Sequence, residues 1–386
     1  MDDWSAVVLA GGVGSRLQPL TANCPKPMVP VANKPMIDYN LELLKNAGIN
    51  GKIIIITRYL QDQIREYFSH IEHFDDLEII LPNIDPLDTA DAVRKAANYV
   101  DTEQFIVSMA DIVTNLPLRD FMEFHQRKKG IASITLKDIP YPRAFGVIML
   151  NQDSRILLFL EKPHPEELGL AVLTFSKKET IHLQSNLVNT GIYAFKHGVL
   201  DILDTLQDLM DFGKHVFPYL AREYGIFGYV KNYYWMDAGN PQTYLYTNWD
   251  VLRRWAFPYF PKASFEENSV WWSDSKVEIV SGVRIEPPAA IGSAVRVEKG
   301  SVIGPQTVIG NEVIIGENTS IHSSVVWDHV KIGSNVNVKE SVICNNVIIP
   351  SNSKLAAGTV IGPNIRAEKP LITTKDQIIE EKSSIT

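Results

Sequence analysis

Aliphatic residues recur at every sixth position through the C-terminal part of this chain, and few folds accept that period. Ile285, Ile291, Val297, Ile303, Ile309, Ile315 and Ile321 form one unbroken run. Glycine follows the aliphatic at Gly292, Gly304, Gly310 and Gly316. The register slips by one residue and resumes at Val326, Ile332 and Val338. It slips again and resumes at Ile343, Ile349, Leu355 and Ile361. Inward aliphatics at this period, with turn residues between them, are the signature of a parallel β-helix built from hexapeptide repeats. At three hexads per coil the stretch makes roughly four to five coils, each burying its aliphatics on the next.

The first half follows a different pattern. Ala6–Leu9, Lys52–Ile56, Leu77–Leu81 and Phe105–Met109 read as strands. Met36–Ala47, Leu60–Phe68, Ala90–Tyr99 and Leu118–Gln126 read as helices between and after them. Such alternation predicts an α/β fold with a Rossmann-like, doubly wound sheet whose ligands bind at the carboxyl ends of the strands. Further strands are expected at Ile131–Lys137, Phe145–Leu150 and Ile156–Glu161. The organisation read from sequence is a first domain over 1–257, a linker rich in proline and aromatics over 258–282, the β-helix over 283–366 and a polar tail over 367–386.

Composition excludes several classes. The 386 residues exceed one ordinary core. Apolar runs such as Ile53-Ile54-Ile55-Ile56 are strand-sized, so no membrane partner is expected. The acidic start Met1-Asp2-Asp3 fits no signal peptide. Cys24 and Cys344, the two cysteines, read as free thiols of a reducing, cytoplasmic compartment. A net charge of −8 argues against nucleic acid as a partner. Any phosphate-binding charge must therefore be local.

That local charge stands at the start of the chain. Leu9-Ala10-Gly11-Gly12-Val13-Gly14-Ser15-Arg16-Leu17 follows the first strand, and Pro25-Lys26-Pro27 comes soon after. Glycines let the backbone turn tightly and present bare N–H groups to phosphate oxygens. Arg16 and Lys26 add charge-assisted contacts. Leu17 stands where a dinucleotide fingerprint would want its third glycine, and no Gly-Lys-Ser/Thr ends the loop, so neither of those phosphate motifs applies. The pattern predicts a nucleoside triphosphate site over Leu9, Ala10, Gly11, Gly12, Gly14, Ser15, Arg16 and Lys26.

The stretch Leu9–Ile37, with Gly-x-Gly-Ser-Arg-Leu, Pro-Leu-Thr, Pro-Lys-Pro and Asn33-Lys34-Pro35-Met36-Ile37, resembles the sugar-1-phosphate nucleotidyltransferases. The likeness continues through Asp111, Glu161-Lys162-Pro163, Asn189-Thr190-Gly191 and Trp235-Met236-Asp237-Ala238-Gly239. It is greatest to mannose-1-phosphate guanylyltransferases, whose pattern Asp211-Phe212-Gly213-Lys214-His215 also follows. The resemblance implies a mixed-sheet nucleotidyltransferase domain followed by a left-handed β-helix. It implies formation of a nucleoside-diphosphate sugar and pyrophosphate, with GTP and mannose 1-phosphate as the leading pair. A glucose-1-phosphate enzyme using UTP, dTTP or ATP stays open, as does a catalytically silent regulatory relative that binds sugar nucleotide.

Two anionic substrates must meet in such a reaction, so cations are obligatory, and Mg²⁺ suits phosphates with one or two carboxylates. Asp111 and Asp237 are the expected metal ligands and, with Arg16 and Lys26, the catalytic set. By resemblance Gly146, Glu161, Lys162, Asn189 and Thr190 bind the sugar phosphate. One segment departs from the pattern: Leu87-Asp88-Thr89-Ala90-Asp91 stands where the resemblance has Leu-Gly-Thr-Ala-Gly. Asp88, beside Thr89 in the base-binding stretch, either accepts the paired N–H donors of guanine or caps the following helix. Both readings stay open at this point. The β-helix is expected to assemble a homo-oligomer rather than do chemistry. His322 and His329 are the candidates for the competing acyltransferase reading, which would also want a long loop that the repeat lacks.

Overall fold

The computed structural model describes residues 3–70, 74–139, 147–160, 186–274 and 276–380. The chain divides into two compact units. The first comprises Met1–Gly12, Asn40–Ala110 and Leu116–Trp235. The second comprises Val13–Tyr39, Asp111–Asn115 and Met236–Thr386.

A seven-stranded sheet carries the first unit. Its order is Phe227–Val230, Ala132–Asp138, Leu187–Lys196, Gln104–Met109, Trp4–Ala10, Ile53–Thr57 and Ile79–Ile80. Trp4–Ala10 runs parallel to both neighbours, with Val7 opposite Ile54 on one side and Val107 on the other. Leu187–Lys196 is antiparallel to the strands on either side of it, which makes the sheet mixed. Central strands covered on both faces read as continuous apolar runs; Ile53, Ile54, Ile55 and Ile56 are all buried. The helix Met36–Ala47 agrees with its expected bounds, while the expected helix Ala90–Tyr99 is Thr89–Lys95 followed by a 3-10 turn, Ala97–Tyr99. An aromatic group of Tyr193, Phe195, Phe212 and Phe217 fills the core on one side, with ring centroids 4.7–6.3 Å apart.

The second unit contains the left-handed β-helix. Its strands form one eight-stranded and two five-stranded parallel stacks, apart from the antiparallel first strand Phe265–Glu267. Ile291, Val297, Ile303, Ile309, Ile315 and Ile321 all point inward and are buried. Truncating one such isoleucine to alanine costs about 2–5 kcal/mol. Corners fall at left-handed residues such as Glu312, Asn318, Asn335 and Asn352, mostly of the short polar type that tolerates this region best.

The two register slips have a structural cause. Paired residues are 18 apart from Val302 to Ser320, then 17 apart from Ser320 to Asn337 and from Val325 to Val342, then 18 apart again from Val342 to Val360. Each slip is a corner shortened by one residue, and the two short corners lie on top of each other. Ser324 Oγ donates to His322 O at 2.7 Å and accepts from Ser341 N at 3.1 Å, and Ser341 Oγ donates to Lys339 O at 2.7 Å. The serines satisfy the backbone where the turn is tight.

The coils also extend past the expected bounds. Val270–Trp272, within the expected linker, pairs with Ala289–Ile291. Leu371 and Ile379, within the expected tail, are buried in the β-helix core, and Ile378–Ile379 pairs with Val360–Ile361. Polar composition concealed this last coil because only its inward positions are apolar.

Candidate active site

The loop after strand Trp4–Ala10 is shaped by its glycines. Gly11 stands where a Cβ would press on Arg58 Cβ at 3.3 Å, whereas a Cβ at Gly12 would meet nothing within 4 Å. The space beside Gly12 is thus open. In the second unit Gly14 has φ +68°, and a Cβ there would lie 3.0 Å from Thr21 Cγ2 and 3.2 Å from Lys26 Cβ. Its carbonyl accepts from Thr21 Oγ1 at 2.9 Å and from Leu17 N at 2.9 Å. Ser15–Leu17 forms a 3-10 turn with Leu17 buried and Arg16 exposed. Gly14 therefore packs the Ser15–Leu17 turn directly against the stem of Lys26.

Lys26 is the centre of the second unit's polar cluster. Pro25 precedes a 3-10 turn, Lys26–Met28, in which Lys26 is 7% exposed. Its Nζ donates to Asp111 Oδ2 at 2.6 Å and to Asp237 Oδ1 at 3.4 Å. Strand Ile112–Thr114, just after Asp111, pairs with Trp235–Asp237, and this brings the two carboxylates together. Burial works against the Lys26 charge, yet the two carboxylates outweigh it and hold its pKa above the ordinary lysine value. Asp237 is pushed the opposite way from a paired carboxylate: burial and then the charge of Asp111 raise it, despite Lys26 and Arg16. The cluster is thus short of positive charge. Among the described residues no group of three or more His, Cys, Asp or Glu side chains converges as a metal site. Two carboxylates short of positive charge nevertheless fit a divalent ion that takes its other oxygens from phosphates and water.

In the first unit the Asn189–Gly191 segment is a bulge in strand Leu187–Lys196. Asn189 donates to Tyr193 Oη at 2.9 Å and accepts from Gly191 N at 3.0 Å. Gly191 has φ +82°, and a Cβ would meet Met109 Cγ at 3.0 Å. Thr190 faces into the protein. Its hydroxyl is buried and engaged by Thr135 Oγ1 at 2.7 Å and Tyr233 Oη at 2.9 Å. Its backbone carbonyl accepts from Trp235 Nε1 at 2.9 Å. The Thr190 hydroxyl is therefore already bonded within the protein. Gly146, Glu161 and Lys162 lie outside the described residues.

Asp88 stands at the N-cap of helix Thr89–Lys95, where its Oδ1 accepts from Thr89 N at 2.8 Å. The capping half of the sequence reading is thus realised, and the side chain stays exposed. Asp91 is buried instead, accepting from Leu87 N at 2.8 Å and pairing with Arg94 and Lys95. Thr89 Oγ1 accepts from Phe212 N at 3.1 Å and lies 3.3 Å from Asp211 Oδ2. The segment that departs from the family's pattern and the Asp211–His215 segment that resembles the guanylyltransferases are therefore neighbours in the fold.

Tyr244 and Trp327 escaped the sequence reading. Trp327 Nε1 donates to Tyr244 Oη at 2.8 Å, and Tyr244 Oη donates to Pro30 O at 2.5 Å. A signal was present: Trp327 follows the aliphatic Val326, in the place that glycine takes after Ile291 and Ile309. Both cysteines are free; Cys24 is half-buried, its thiol pushed up to about 12 by burial, and the buried Cys344 is raised for the same reason. The histidines weighed for acyl transfer sit on an uninterrupted stack from Arg284 to Ile361, His329 pairing with Glu312 at 3.3 Å. Among the described residues no helix is long and apolar enough to cross a membrane.

A mixed sheet with a glycine loop, two cations and two carboxylates defines a phosphate-handling protein of the nucleotidyl-transfer class. Residues 5–254 match the nucleotidyl transferase family, and the chain belongs to it. Residues 268–372 match the EIF2B subunit epsilon LbH domain, a left-handed β-helix. The chain is 31% identical over 245 residues to mannose-1-phosphate guanylyltransferase 1 of Arabidopsis thaliana, covering 62% of each chain. It is 30% identical over 297 residues to a mannose-1-phosphate guanyltransferase of Pichia angusta, covering 74% of this chain and 72% of that one. A further relative is the mannose-1-phosphate guanyltransferase beta-B of Xenopus laevis, 29% identical over 62% of each chain. The matched stretch thus spans less than two thirds of the length of the first of these relatives.

Proposed function

We propose that this protein transfers a guanylyl group from GTP to mannose 1-phosphate, releasing pyrophosphate. The observation that carries the reading is the buried Lys26 ammonium held between Asp111 and Asp237 beside the glycine loop. An oxygen of the sugar phosphate attacks the α-phosphorus in line. The bond from that phosphorus to the bridging oxygen breaks, and the electron pair leaves on pyrophosphate. No enzyme nucleophile is required; positioning and neutralisation of charge supply the catalysis.

Leu9, Ala10, Gly11, Gly12, Gly14 and Ser15 offer backbone to the triphosphate, and Arg16 and Lys26 neutralise it. Lys162 pairs with the phosphate of the sugar phosphate, while Gly146, Glu161 and Asn189 receive the sugar. Asp111 and Asp237 would hold Mg²⁺, which when bound supplies positive charge to the phosphates. A cytoplasmic, homo-oligomeric enzyme fits this reading. Ile314, Ile372 and Ile378 stand exposed on the outer faces of the β-helix and suit contact with a second copy. Replacing them with glutamate should lower the mass seen in light scattering, and an unchanged mass would remove those faces from assembly.

The deciding experiment is a matrix of GTP, UTP, dTTP and ATP against mannose and glucose 1-phosphates, with pyrophosphate release as readout. Release concentrated in another cell of the matrix reassigns base or sugar. Aspartates at Asp88 and Asp91 favour keeping the silent regulatory reading in view. No release anywhere, with a thermal shift on adding a sugar nucleotide, selects it.

A further inference from the structure

One edge of the β-helix differs from the rest. Ile309, Val326, Ile343 and Ile361 stand opposite one another in successive coils. The residues that follow them are Gly310, Trp327, Cys344 and Gly362. This stripe meets the segment that carries Lys26. Asn33 Nδ2 donates to Ile309 O at 2.8 Å at the level of Gly310. One coil on, Trp327 donates to Tyr244, which donates to Pro30 O. Two coils beyond Trp327, Gly362 comes so close to Pro19 that a Cβ would lie 3.2 Å from Pro19 Cβ.

The same helix serves both halves of the polar cluster. Pro241–Leu252 begins four residues after Asp237, fixed by the capping box of Asn240 and Thr243. From it Tyr244 holds Pro30, Asn248 Oδ1 accepts from Ala32 N at 2.8 Å, and Trp249 Nε1 donates to Ser323 O at 3.2 Å. Pro30 and Ala32 follow directly on the Lys26–Met28 turn, whose amides bond locally: Met28 N to Pro25 O at 2.8 Å and Val29 N to Lys26 O at 3.2 Å. A two-residue strand and a 3-10 turn have little rigidity of their own. Their position has to come from what they are bonded to.

We infer that the β-helix positions Lys26, its Trp327 acting through Tyr244 as the positioning residue, which on the nucleotidyl-transfer reading makes the β-helix part of the catalytic apparatus. A purely assembling β-helix has no need of a tryptophan in place of glycine at one coil. Tyr244 is wholly buried, so its hydroxyl can have no water in place of Trp327 or Pro30 without a cavity. Loss of either donor leaves a buried polar group unpaired, which costs more than the bond itself returned. The inference rests on the nucleotidyl-transfer reading for its kinetic arm alone.

The test uses the full chain with Trp327→Phe, Tyr244→Phe and the double variant. Tyr244→Phe keeps the ring and removes both hydrogen bonds. Two readouts are taken. Hydrogen exchange should rise in the peptide spanning 26–31 in each variant, while the sheet peptide spanning 104–109 stays protected. Steady-state kinetics should show kcat/KM for the triphosphate down roughly five- to tenfold, what one ordinary hydrogen bond converts to, with KM for the sugar phosphate unchanged. The double variant should be no worse than Tyr244→Phe alone, because the two act in one chain. Unchanged exchange at 26–31 overturns the inference whether or not the protein proves to be a nucleotidyltransferase. So does a fall in thermal midpoint with both kinetic constants intact. Faster exchange in a chain that transfers no nucleotide would sink the functional reading and leave the positioning contact standing.

Discussion

Lys26 and Asp111, 85 positions apart in sequence, meet as an ion pair at 2.6 Å. The lysine is almost wholly buried, and its carboxylate partner keeps a third of its side chain in solvent. A buried charge needs such a partner, and removing the partner is strongly destabilising for the charge that remains. The pair therefore matters to folding in its own right, and in the proposed reaction the same carboxylate would also hold a metal ion.

Pyrophosphate release should depend on a divalent ion and collapse in Asp111→Asn and Asp237→Asn. Each substitution keeps the volume and removes one anionic ligand. A loss on the order of 10²-fold or more is expected, since disturbing the surroundings of metal ligands alone reaches that scale. Turnover near that of the wild type at low Mg²⁺ in either variant would remove that residue from the site.

Lys26→Ala and Lys162→Ala should separate the two substrates. The first is expected to damage use of the triphosphate and the second use of the sugar phosphate. Each loses a charge-assisted contact of about 1.5–3 kcal/mol. The check is a pair of apparent Michaelis constants for each variant. If both variants raised the same one, the assignment would be wrong.

Asp88 offers a measurable choice between two roles. If its carboxylate reads guanine, Asp88→Gly should relax the preference for GTP over UTP by roughly ten- to a hundredfold, the span of about 1–3 kcal/mol per base contact. If its role is confined to the bond with Thr89 N, the base ratio stays put and only a small stability loss appears, since glycine replaces a capping residue at a cost of a few tenths of a kcal/mol. Base ratio and thermal midpoint on the one variant decide.

His125 should make stability depend on pH. Its Nδ1 lies 2.9 Å from Ser133 Oγ, its ring packs edge-on to Trp4, and burial, with the charge of Lys196, pushes its pKa down to about 4. An unfolded histidine takes up its proton near pH 6.5. Between those values the unfolded state binds more protons, so stability is full above about pH 6.5 and falls as pH drops toward 4. The loss amounts to about 3 kcal/mol at most. His125→Phe should flatten the thermal midpoint curve in that window, and an unaltered slope would place the proton on another group.

Much of this was legible in the residues. The hexad period located the main inward row of the β-helix core, because a stack of short parallel strands buries the same position in every coil. Alternating apolar runs located the sheet, because central strands have no polar face to show. The glycine loop and its two cations were legible as a pattern because those residue types stand close together in the chain.

Other features depended on proximity that sequence does not express. The last coil was read as a tail because its few buried positions, Leu371 and Ile379, sit among polar neighbours. Nothing local says that the Thr190 hydroxyl, on a bulged strand, turns inward to Thr135 and Tyr233. The pairing of Lys26 with Asp111 and Asp237, and the contact of Trp327 with Tyr244, join residues from 83 to 211 positions apart. Periodicity reports what one element buries against its own repeat. Contacts between distant elements are decided only when the whole chain packs, since the free energy of such a contact belongs to both partners and is written in neither.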